Sequence, residues 1–172
     1  MCRVPLRRAH DGSVKELAYL SLGSNLGDRE ANLREAITQL TEVGSVGALS
    51  ATYETQPVDV PNQPWFLNCV VELETEKTPR ELLTFALSVE AATGRLRFRD
   101  KGPRKIDIDL LLFGDRIVEE PKLKIPHPAM HQRRFVLTPL AEIAPGVRHP
   151  VFDKTASELL AALPEGQIVR QV

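Results

Sequence analysis

Two aspartates within one short apolar segment have the types and spacing that suit chemistry. Asp107 and Asp109 lie in KIDIDLLLF, residues 105–113, which has the pattern of a β-strand. Because side chains alternate between the faces of a strand, both carboxylates should lie on one face. Their oxygens could then converge on Mg²⁺, which takes water and substrate phosphates as its remaining ligands. An acidic outer face on a half-exposed strand gives the same pattern, so the pair alone is not specific. The intervening residues should point into a core: Ile106, Ile108, Leu110 and Leu112.

The segment just before this strand is strongly basic. Between positions 95 and 105, a single acid, Asp100, accompanies six cations: Arg95, Arg97, Arg99, Lys101, Arg104 and Lys105. Cations for phosphate oxygens beside carboxylates for magnesium are what phosphoryl transfer requires. A solvated basic loop is the alternative, but its direct join to the acidic strand favours the phosphoryl interpretation. We expect Gly102 and Pro103 to fix the backbone and so to aim the guanidinium of Arg104.

A turn of sequence GSNLGD, residues 23–28, follows the first predicted strand and opens the first predicted helix. It lacks both the P-loop pattern G-x-x-x-x-G-K-[ST] and the dinucleotide pattern G-x-G-x-x-G. Any binding of ATP would therefore differ from binding in those folds. Gly23 and Gly27 could form a tight turn or face a ligand, and the sequence leaves both possibilities open.

The composition is that of a globular protein. Hydrophobic residues make up 42% of the 172 positions and charged residues 26%, with a formal net charge of −1. This balance lacks the strong basicity of a nucleic-acid-binding domain. Cys2 and Cys69 are too few for a disulfide framework, and Cys69, within an apolar run, is expected to be a buried thiol.

Residues 1–16 are predicted to form a polar extension, disordered in part, ahead of a single domain at residues 17–172. The extension lacks the apolar core of a secretory signal. No stretch approaches the roughly 20 apolar residues of a membrane-spanning helix. We therefore expect a cytoplasmic protein without membrane or nucleic-acid partners.

The elements that must position the aspartates follow from hydrophobic spacing. Strands are predicted at residues 17–22, 48–55, 67–73 and 105–113, and helices at 28–43, 78–94 and 156–163. Asp28 and Thr78 are the expected N-caps of the first two helices. The order predicts the α+β class and a ferredoxin-like split βαβ sandwich, with a mainly antiparallel sheet, helices on one face and extra C-terminal elements. The second face would be free for a ligand or for those added elements.

Four separated motifs resemble the hydroxymethyl-dihydropterin pyrophosphokinase family of folate biosynthesis. They are GSNLGD, YETQPVDVPNQPWFLN at 53–68, GPRKIDIDLLLF at 102–113 and PHPAMHQRRFVLTPLAEIAP at 126–145. The similarity runs over about residues 17–163. It implies a ferredoxin-like fold and transfer of diphosphate from ATP to 6-hydroxymethyl-7,8-dihydropterin, releasing AMP. It also implies two Mg²⁺ ions, with ATP as co-substrate, and we expect the enzyme to be a monomer.

The resemblance assigns roles residue by residue. Asp107 and Asp109 match the metal-binding aspartates, and with Arg95 and Arg104 they are the expected catalytic residues. Residues expected to bind ATP are His127 and Arg133, together with the basic-segment residues Arg97, Arg99 and Lys101. Residues expected to bind the pterin are Thr55, Pro57, Val58, Asp59, Phe66, Asn68 and Phe135.

The residue types agree with these roles. A pterin is flat with a polar edge, so Phe66 and Phe135 could stack on its faces while Asn68 matches the edge as donor and acceptor. Simple core packing would also account for the two phenylalanines, and a turn histidine without function would account for His127. The chain departs from the family at Lys101, where a tryptophan is common, and in a loop at 97–102 that is about one residue shorter than in some members.

Two other functions share parts of this pattern. An RNA-recognition module has the same order of strands and helices, but it stacks bases on aromatic residues of its central strands, and LNCVVELE, residues 67–74, has none. A magnesium-dependent nuclease or phosphatase could use the same two aspartates.

Overall fold

The computed structural model describes residues 14–58, 60–93 and 102–172. The strands are β1 Glu16–Ser24, β2 Ser45–Leu49, β3 Tyr53–Thr55, β4 Phe66–Thr75, β5 Asp107–Phe113, β6 Val118–Glu120, β7 Leu123–Ile125 and β8 Val169–Gln171. The helices are α1 Arg29–Leu40, α2 Pro79–Ala92, α3 Arg134–Ile143 and α4 Ala156–Ala161, with a 3₁₀ turn at Met130–Gln132. Outside the described residues lie most of the predicted N-terminal extension and five predicted site residues: Asp59, Arg95, Arg97, Arg99 and Lys101.

The main sheet has the strand order expected of a split βαβ sandwich. Its neighbours run β5-β1-β4-β3-β8, and β2 pairs with a second stretch of β4. All of these pairings are antiparallel. β6 and β7 form a separate two-stranded sheet. The mixed α+β, ferredoxin-like prediction is therefore confirmed.

Helices α1 and α2 begin at the predicted caps and cover the first face of the sheet. The Asp28 carboxylate accepts a hydrogen bond from the Ala31 amide at 3.0 Å, and the Thr78 hydroxyl accepts one from the Glu81 amide at 3.2 Å. Such caps satisfy amides that have no partner within the helix. The helices bury a core against the sheet with Leu33, Ala36, Leu40, Leu82, Ala86 and Val89.

The second face of the sheet is shared between two further helices and an open cleft. Helices α3 and α4 cover its middle, where Leu137 and Leu140 pack with Val70 of β4. The C-terminal elements therefore supply a second helical layer on the face that the sequence left open for a ligand or for those elements. The sequence did not predict α3, which contains Pro139, a residue type that usually interrupts helices.

Two predicted strands differ in detail. The strand expected at residues 48–55 is divided into β2 and β3, because the Ser50 hydroxyl accepts the hydrogen bond of the Val70 amide between them. In β5 the register against β1 shifts beside Leu111, so the alternation of side chains reverses there. Leu112 consequently lies in the second-face core with Leu111, rather than with Ile106, Ile108 and Leu110 as predicted.

Cys69 is 2% exposed and is a free thiol, as predicted. Burial raises the pKa of this thiol to about 12. Because the thiolate is the reactive form, the residue acts as a small apolar side chain.

None of the helices in the described part of the chain combines the length and apolar character needed to cross a lipid bilayer.

Candidate active site

A cleft of about 430 Å³ opens where β5 begins, between α2 and the start of α3. Every predicted site residue within the described ranges lines it: Thr55, Pro57, Val58, Phe66, Asn68, Arg104, Asp107, Asp109, His127, Arg133 and Phe135. We call Arg104, Asp107, Asp109, His127 and Arg133 the acidic end of the cleft, and Thr55, Phe66, Asn68, Phe135 and Gln167 its aromatic end.

Gly23 in β1 joins the two ends. It pairs with Asp107 of β5 on one side and with Asn68 of β4 on the other. A Cβ atom at Gly23 would lie 2.5 Å from Oδ1 of Asn68, far inside van der Waals contact. The cleft therefore requires glycine at this position. Gly27 instead has a φ of 68° and serves the turn, which resolves the two possibilities that the sequence left open.

The acidic end balances two carboxylates against nearby cations. Arg104 Nη1 lies 3.0 Å from Oδ1 of Asp107, and Arg133 Nη1 lies 3.9 Å from Oδ2 of Asp109. Burial and the charge of Asp107 nevertheless raise the pKa of Asp109 well above its usual value. Ionisation of both carboxylates in the cleft is therefore costly, and a bound cation would relieve that cost.

The donors at this end fit magnesium bound together with a phosphate substrate. Asp107 and Asp109 lie on one face of β5, as predicted, and both line the cleft. Within the described residues there is no cluster of three or more His, Cys, Asp or Glu side chains that could hold a metal. Two carboxylates with open positions suit Mg²⁺, which keeps waters and takes phosphate oxygens, rather than a metal held by protein ligands alone.

His127 presents a neutral donor to the acidic end. Its Nδ1 accepts a hydrogen bond from the Ala129 amide at 3.1 Å, so the proton of the neutral ring lies on Nε2. Nε2 lies 4.0 Å from Oδ2 of Asp109. Burial, together with the positive charge of Arg133, lowers the pKa of His127 to about 4. The imidazole can therefore donate to an anion without carrying charge.

Asn25 fixes the backbone on both sides of the cleft. Its Oδ1 accepts a hydrogen bond from the backbone amide of Arg104 at 2.8 Å, and its backbone amide donates one to the Arg104 carbonyl at 3.1 Å. Its Nδ2 donates to Gln63 Oε1 and to the Pro64 carbonyl, each at 3.0 Å. Arg104 is thus positioned by Asn25 as well as by Gly102, whose carbonyl accepts from Nε at 3.2 Å. Sequence reasoning missed Asn25, although it lies within GSNLGD.

The aromatic end combines two half-buried rings with a buried amide. Phe66 opens β4 and Phe135 lies in the first turn of α3. Asn68 is 4% exposed, and its Nδ2 donates to Oγ1 of Thr55 at 2.5 Å. The guanidinium carbon of Arg133 lies 5.5 Å from the centre of the Phe135 ring, which links this end to the acidic end. Both rings line the cleft, and Phe135 also packs against the second-face core.

Further lining residues were not predicted as part of a site: Gln56, Gln63, Leu83, Leu87, Glu90, Ile108 and Gln167. Leu83 and Leu87 extend from α2. Glu90, at 4% exposed, accepts a hydrogen bond from the Ile108 amide at 2.8 Å and so ties α2 to the acidic strand. No sequence pattern distinguishes the glutamines from surface residues.

Comparisons with known proteins agree with this site. Residues 19–145 match the model of the family described as 7,8-dihydro-6-hydroxymethylpterin-pyrophosphokinase (HPPK). The chain is 45% identical over 155 residues to the 2-amino-4-hydroxy-6-hydroxymethyldihydropteridine pyrophosphokinase of Methylorubrum extorquens, covering 89% of this chain and 97% of the relative. It is also 45% identical over 132 residues to the enzyme of that name from Bacillus subtilis, covering 76% and 79%.

A solved structure supports the fold. Plasmodium falciparum HPPK-DHPS with pterin and p-hydrobenzoate superposes with a TM-score of 0.68 at 18% identity. The match covers 87% of this chain, which spans only 44% of that longer protein. The matches to the family model and to the two bacterial relatives decide against an RNA-recognition module and against a nuclease or phosphatase. The chain belongs to the 7,8-dihydro-6-hydroxymethylpterin-pyrophosphokinase family.

Proposed function

We propose that this cleft transfers the diphosphate of ATP to the hydroxymethyl group of 6-hydroxymethyl-7,8-dihydropterin, releasing AMP, as a step of folate biosynthesis. The relatives are named for this pyrophosphokinase activity. The observation that carries the proposal is that one cleft joins a carboxylate pair with adjacent cations to two aromatic rings with a buried amide.

The acidic end would receive the triphosphate. Arg104 and Arg133 offer guanidinium groups to phosphate oxygens, and His127 offers a neutral N–H. If Asp107 and Asp109 held a cation, the arginines beside them would be available to phosphate oxygens. Arg95, Arg97, Arg99 and Lys101, which precede Arg104 in the chain, are proposed as further cations for ATP.

Asp107 and Asp109 would hold magnesium, and the family resemblance implies two ions. Bound there with ATP, magnesium would neutralise charge on the phosphates and favour in-line displacement. The two carboxylates would determine where the positive charge of the magnesium lies, since both extend from β5.

The aromatic end would receive the pterin. Phe66 and Phe135 suit the two faces of a flat ring, and offset stacking is worth about 0.5–1.5 kcal/mol per aromatic pair beyond buried area. Asn68 has donor and acceptor capacity left after its bond to Thr55, so it can match the polar edge. Pro57 and Val58 line the cleft beside these rings, and their backbone groups would complete the pocket. Asp59, the next residue in the chain, is proposed as a further pterin-binding residue.

The short distance between the ends would bring the reacting groups together. Asn68 and Asp107 lie on the two sides of Gly23, so a pterin held by the amide places its substituent beside the carboxylates. The hydroxymethyl oxygen would then form a bond to the β-phosphorus of ATP while the bond between that phosphorus and the α-phosphate oxygen breaks. Positioning and neutralisation of charge supply most of the rate in such reactions.

The test is the dependence of AMP formation on the pterin. The protein, ATP and Mg²⁺ should yield AMP and the pterin diphosphate only when 6-hydroxymethyl-7,8-dihydropterin is added. Release of ADP, or formation of AMP without the pterin, would contradict the proposal. Omitting Mg²⁺ with a chelator should abolish the reaction, whereas persistence of the reaction would remove the metal assignment.

We also propose that the enzyme acts as a cytoplasmic monomer. Residues of a single chain already bring both ends of the cleft together. Sedimentation of the active protein would test this, and a dimer whose dissociation abolishes activity would contradict it.

A further inference from the structure

We propose that Gln167, near the C-terminus, is a positioning residue that holds both walls of the aromatic end in place for the pterin. This inference rests on the proposed function. Gln167 lines the cleft, yet it lies beyond residues 19–145, the part of the chain that matches the family model.

One side-chain amide connects two walls of the cleft. Nε2 of Gln167 donates to the Gln56 carbonyl at 2.7 Å, and Oε1 accepts from the Phe135 amide at 3.3 Å. Gln56 immediately precedes Pro57 and Val58, which line the proposed pterin pocket, and Phe135 provides one of the two rings proposed to stack on the pterin. The side chain of Gln167 therefore bridges the loop and the helical turn that carries the ring.

Helix α3 depends on this contact because it lacks a cap of its own. Its N-cap residue, Arg133, makes no side-chain capping hydrogen bond. Amides in the first turn of a helix need an acceptor from elsewhere. Gln167 supplies one to Phe135, and it thereby constrains the first turn that aims the ring.

The backbone on both sides of Gln167 makes hydrogen bonds to other segments, and these bonds position its side-chain amide. On one side Arg134 Nη2 donates to the Pro164 carbonyl at 3.0 Å. On the other side the Gln56 amide donates to the Ile168 carbonyl at 3.1 Å, and β8 pairs with β3. These contacts fix the approach of the segment, while the side chain of Gln167 makes the bond to Phe135.

The chemistry of the contact calls for an amide. The Gln56 carbonyl needs a donor and the Phe135 amide needs an acceptor, and glutamine provides both at once. Gln167→Glu would keep the acceptor but place an oxygen against the Gln56 carbonyl. Gln167→Met would keep the length of the side chain and remove both hydrogen bonds.

Equilibrium binding of 6-hydroxymethyl-7,8-dihydropterin to the full chain, in the presence of Mg²⁺ and a non-hydrolysable ATP analogue, tests the inference. We expect Gln167→Met to raise the Kd of the pterin about tenfold and Gln167→Glu to raise it about three- to tenfold, the range for one or two hydrogen bonds. The Kd of the ATP analogue alone should stay within about twofold. Gln171→Met, an exposed change in β8 shortly after Gln167, is the matched control and should alter neither.

Two results would overturn the inference. One is a pterin Kd within about twofold of wild type in both Gln167 variants. The other is an equal loss of affinity for pterin and ATP analogue, which would indicate general damage to the fold. Failure of the wild-type protein to bind pterin while it binds the ATP analogue would instead overturn the proposed function, and the inference with it.

Discussion

The acidic and aromatic ends of the cleft are held in place by different interactions. At the acidic end, ion pairs join groups of opposite charge. One example is the contact between Arg104 and Asp107, which are only three positions apart in the chain. At the aromatic end, neutral hydrogen bonds join distant segments, as between Asn68 and Thr55 or between Gln167 and Phe135. Changes at the acidic end should therefore affect rate without harming the fold, whereas changes at the aromatic end should affect affinity for the pterin.

The largest effect should come from Asp109→Ala at the acidic end. Loss of a cation-holding carboxylate should lower kcat by about 10³-fold or more, the scale of key charges in phosphoryl transfer. The metal-free variant should be at least as stable as wild type. The reason is that the raised pKa of Asp109 marks the ionised carboxylate as unfavourable in the folded protein, so removing it relieves a cost. AMP formation and thermal unfolding in a chelator would measure the two quantities.

Asp115→Ala is the matched control for that change, because Asp115 is exposed in the turn just after the same strand. It should leave both rate and stability unchanged. Wild-type turnover by Asp109→Ala would break the assignment of the acidic end to metal and phosphates.

Gly23→Ala should affect both ends, because Gly23 lies between Asp107 and Asn68. The new methyl group would meet Asn68 Oδ1 and displace the amide. We expect the pterin Kd to rise and kcat to fall, each by about tenfold, with a loss of about 1–3 kcal/mol in the free energy of unfolding from overpacking. Binding, turnover and chemical denaturation would be measured together. Gly146→Ala, where an added Cβ meets nothing within 4 Å, should change none of them. An effect of Gly23→Ala on stability alone would mean that the two ends are not joined through this residue.

Asn25→Ala should weaken the binding of both substrates, but less than Gly23→Ala does at the centre of the cleft. The change leaves the Arg104 amide and the Pro64 carbonyl without their partner, which costs about 1–3 kcal/mol of stability for buried groups. The Kd values of the ATP analogue and the pterin should each rise about three- to tenfold. Asn25→Asp keeps the acceptor for the Arg104 amide, so it should raise the Kd of the ATP analogue less than the Kd of the pterin. Asn62→Ala, an exposed change in the segment that Asn25 contacts through Gln63 and Pro64, should be silent. A change in only one Kd for Asn25→Ala would indicate that Asn25 serves one end alone.

The same contrast explains what the sequence could predict. Asp107, Asp109 and Arg104 were found because their chemistry is contiguous, and strand alternation alone places both carboxylates on one face. Phe66, Phe135 and Asn68 were predicted only through the resemblance, because Phe135 of α3 reaches the strand that carries Phe66 and Asn68 through tertiary packing, which leaves no local pattern. Their placement in one cleft agrees with the assignment, while their individual roles stay predictions.

What the sequence did not predict has local physical causes. Gln167 and Asn25 act through hydrogen bonds to backbone atoms of other segments, and such partners leave no pattern of side chains. Pro139 lies inside α3, and because proline usually interrupts helices, neither α3 nor the second helical layer was predicted. The register shift beside Leu111 reversed the orientation expected for Leu112, because alternation holds only while the ladder is regular.

The smallest effect should be a pH dependence confined to the acidic end. In the folded protein the pKa of His127 is about 4, below the value near 6.5 of an unfolded chain, so the unfolded state takes up the proton first as pH falls. The stability linked to this ring is therefore present above about pH 6.5 and is lost as the pH falls toward 4. His127→Gln removes the titrating group, so wild type should lose stability relative to this variant between pH 7 and pH 5, as measured by chemical denaturation of the metal-free protein.

The aromatic end supplies the matched comparison for this titration. None of its five members, Thr55, Phe66, Asn68, Phe135 and Gln167, has a side chain that titrates between pH 5 and pH 7. The stability difference between wild type and Gln167→Met should therefore be the same at both pH values. A difference for His127→Gln that is equally independent of pH would contradict a neutral imidazole. The pKa of His127 in the folded protein would then equal that of the unfolded chain, about 6.5, and burial would not hold the ring neutral as the pH falls.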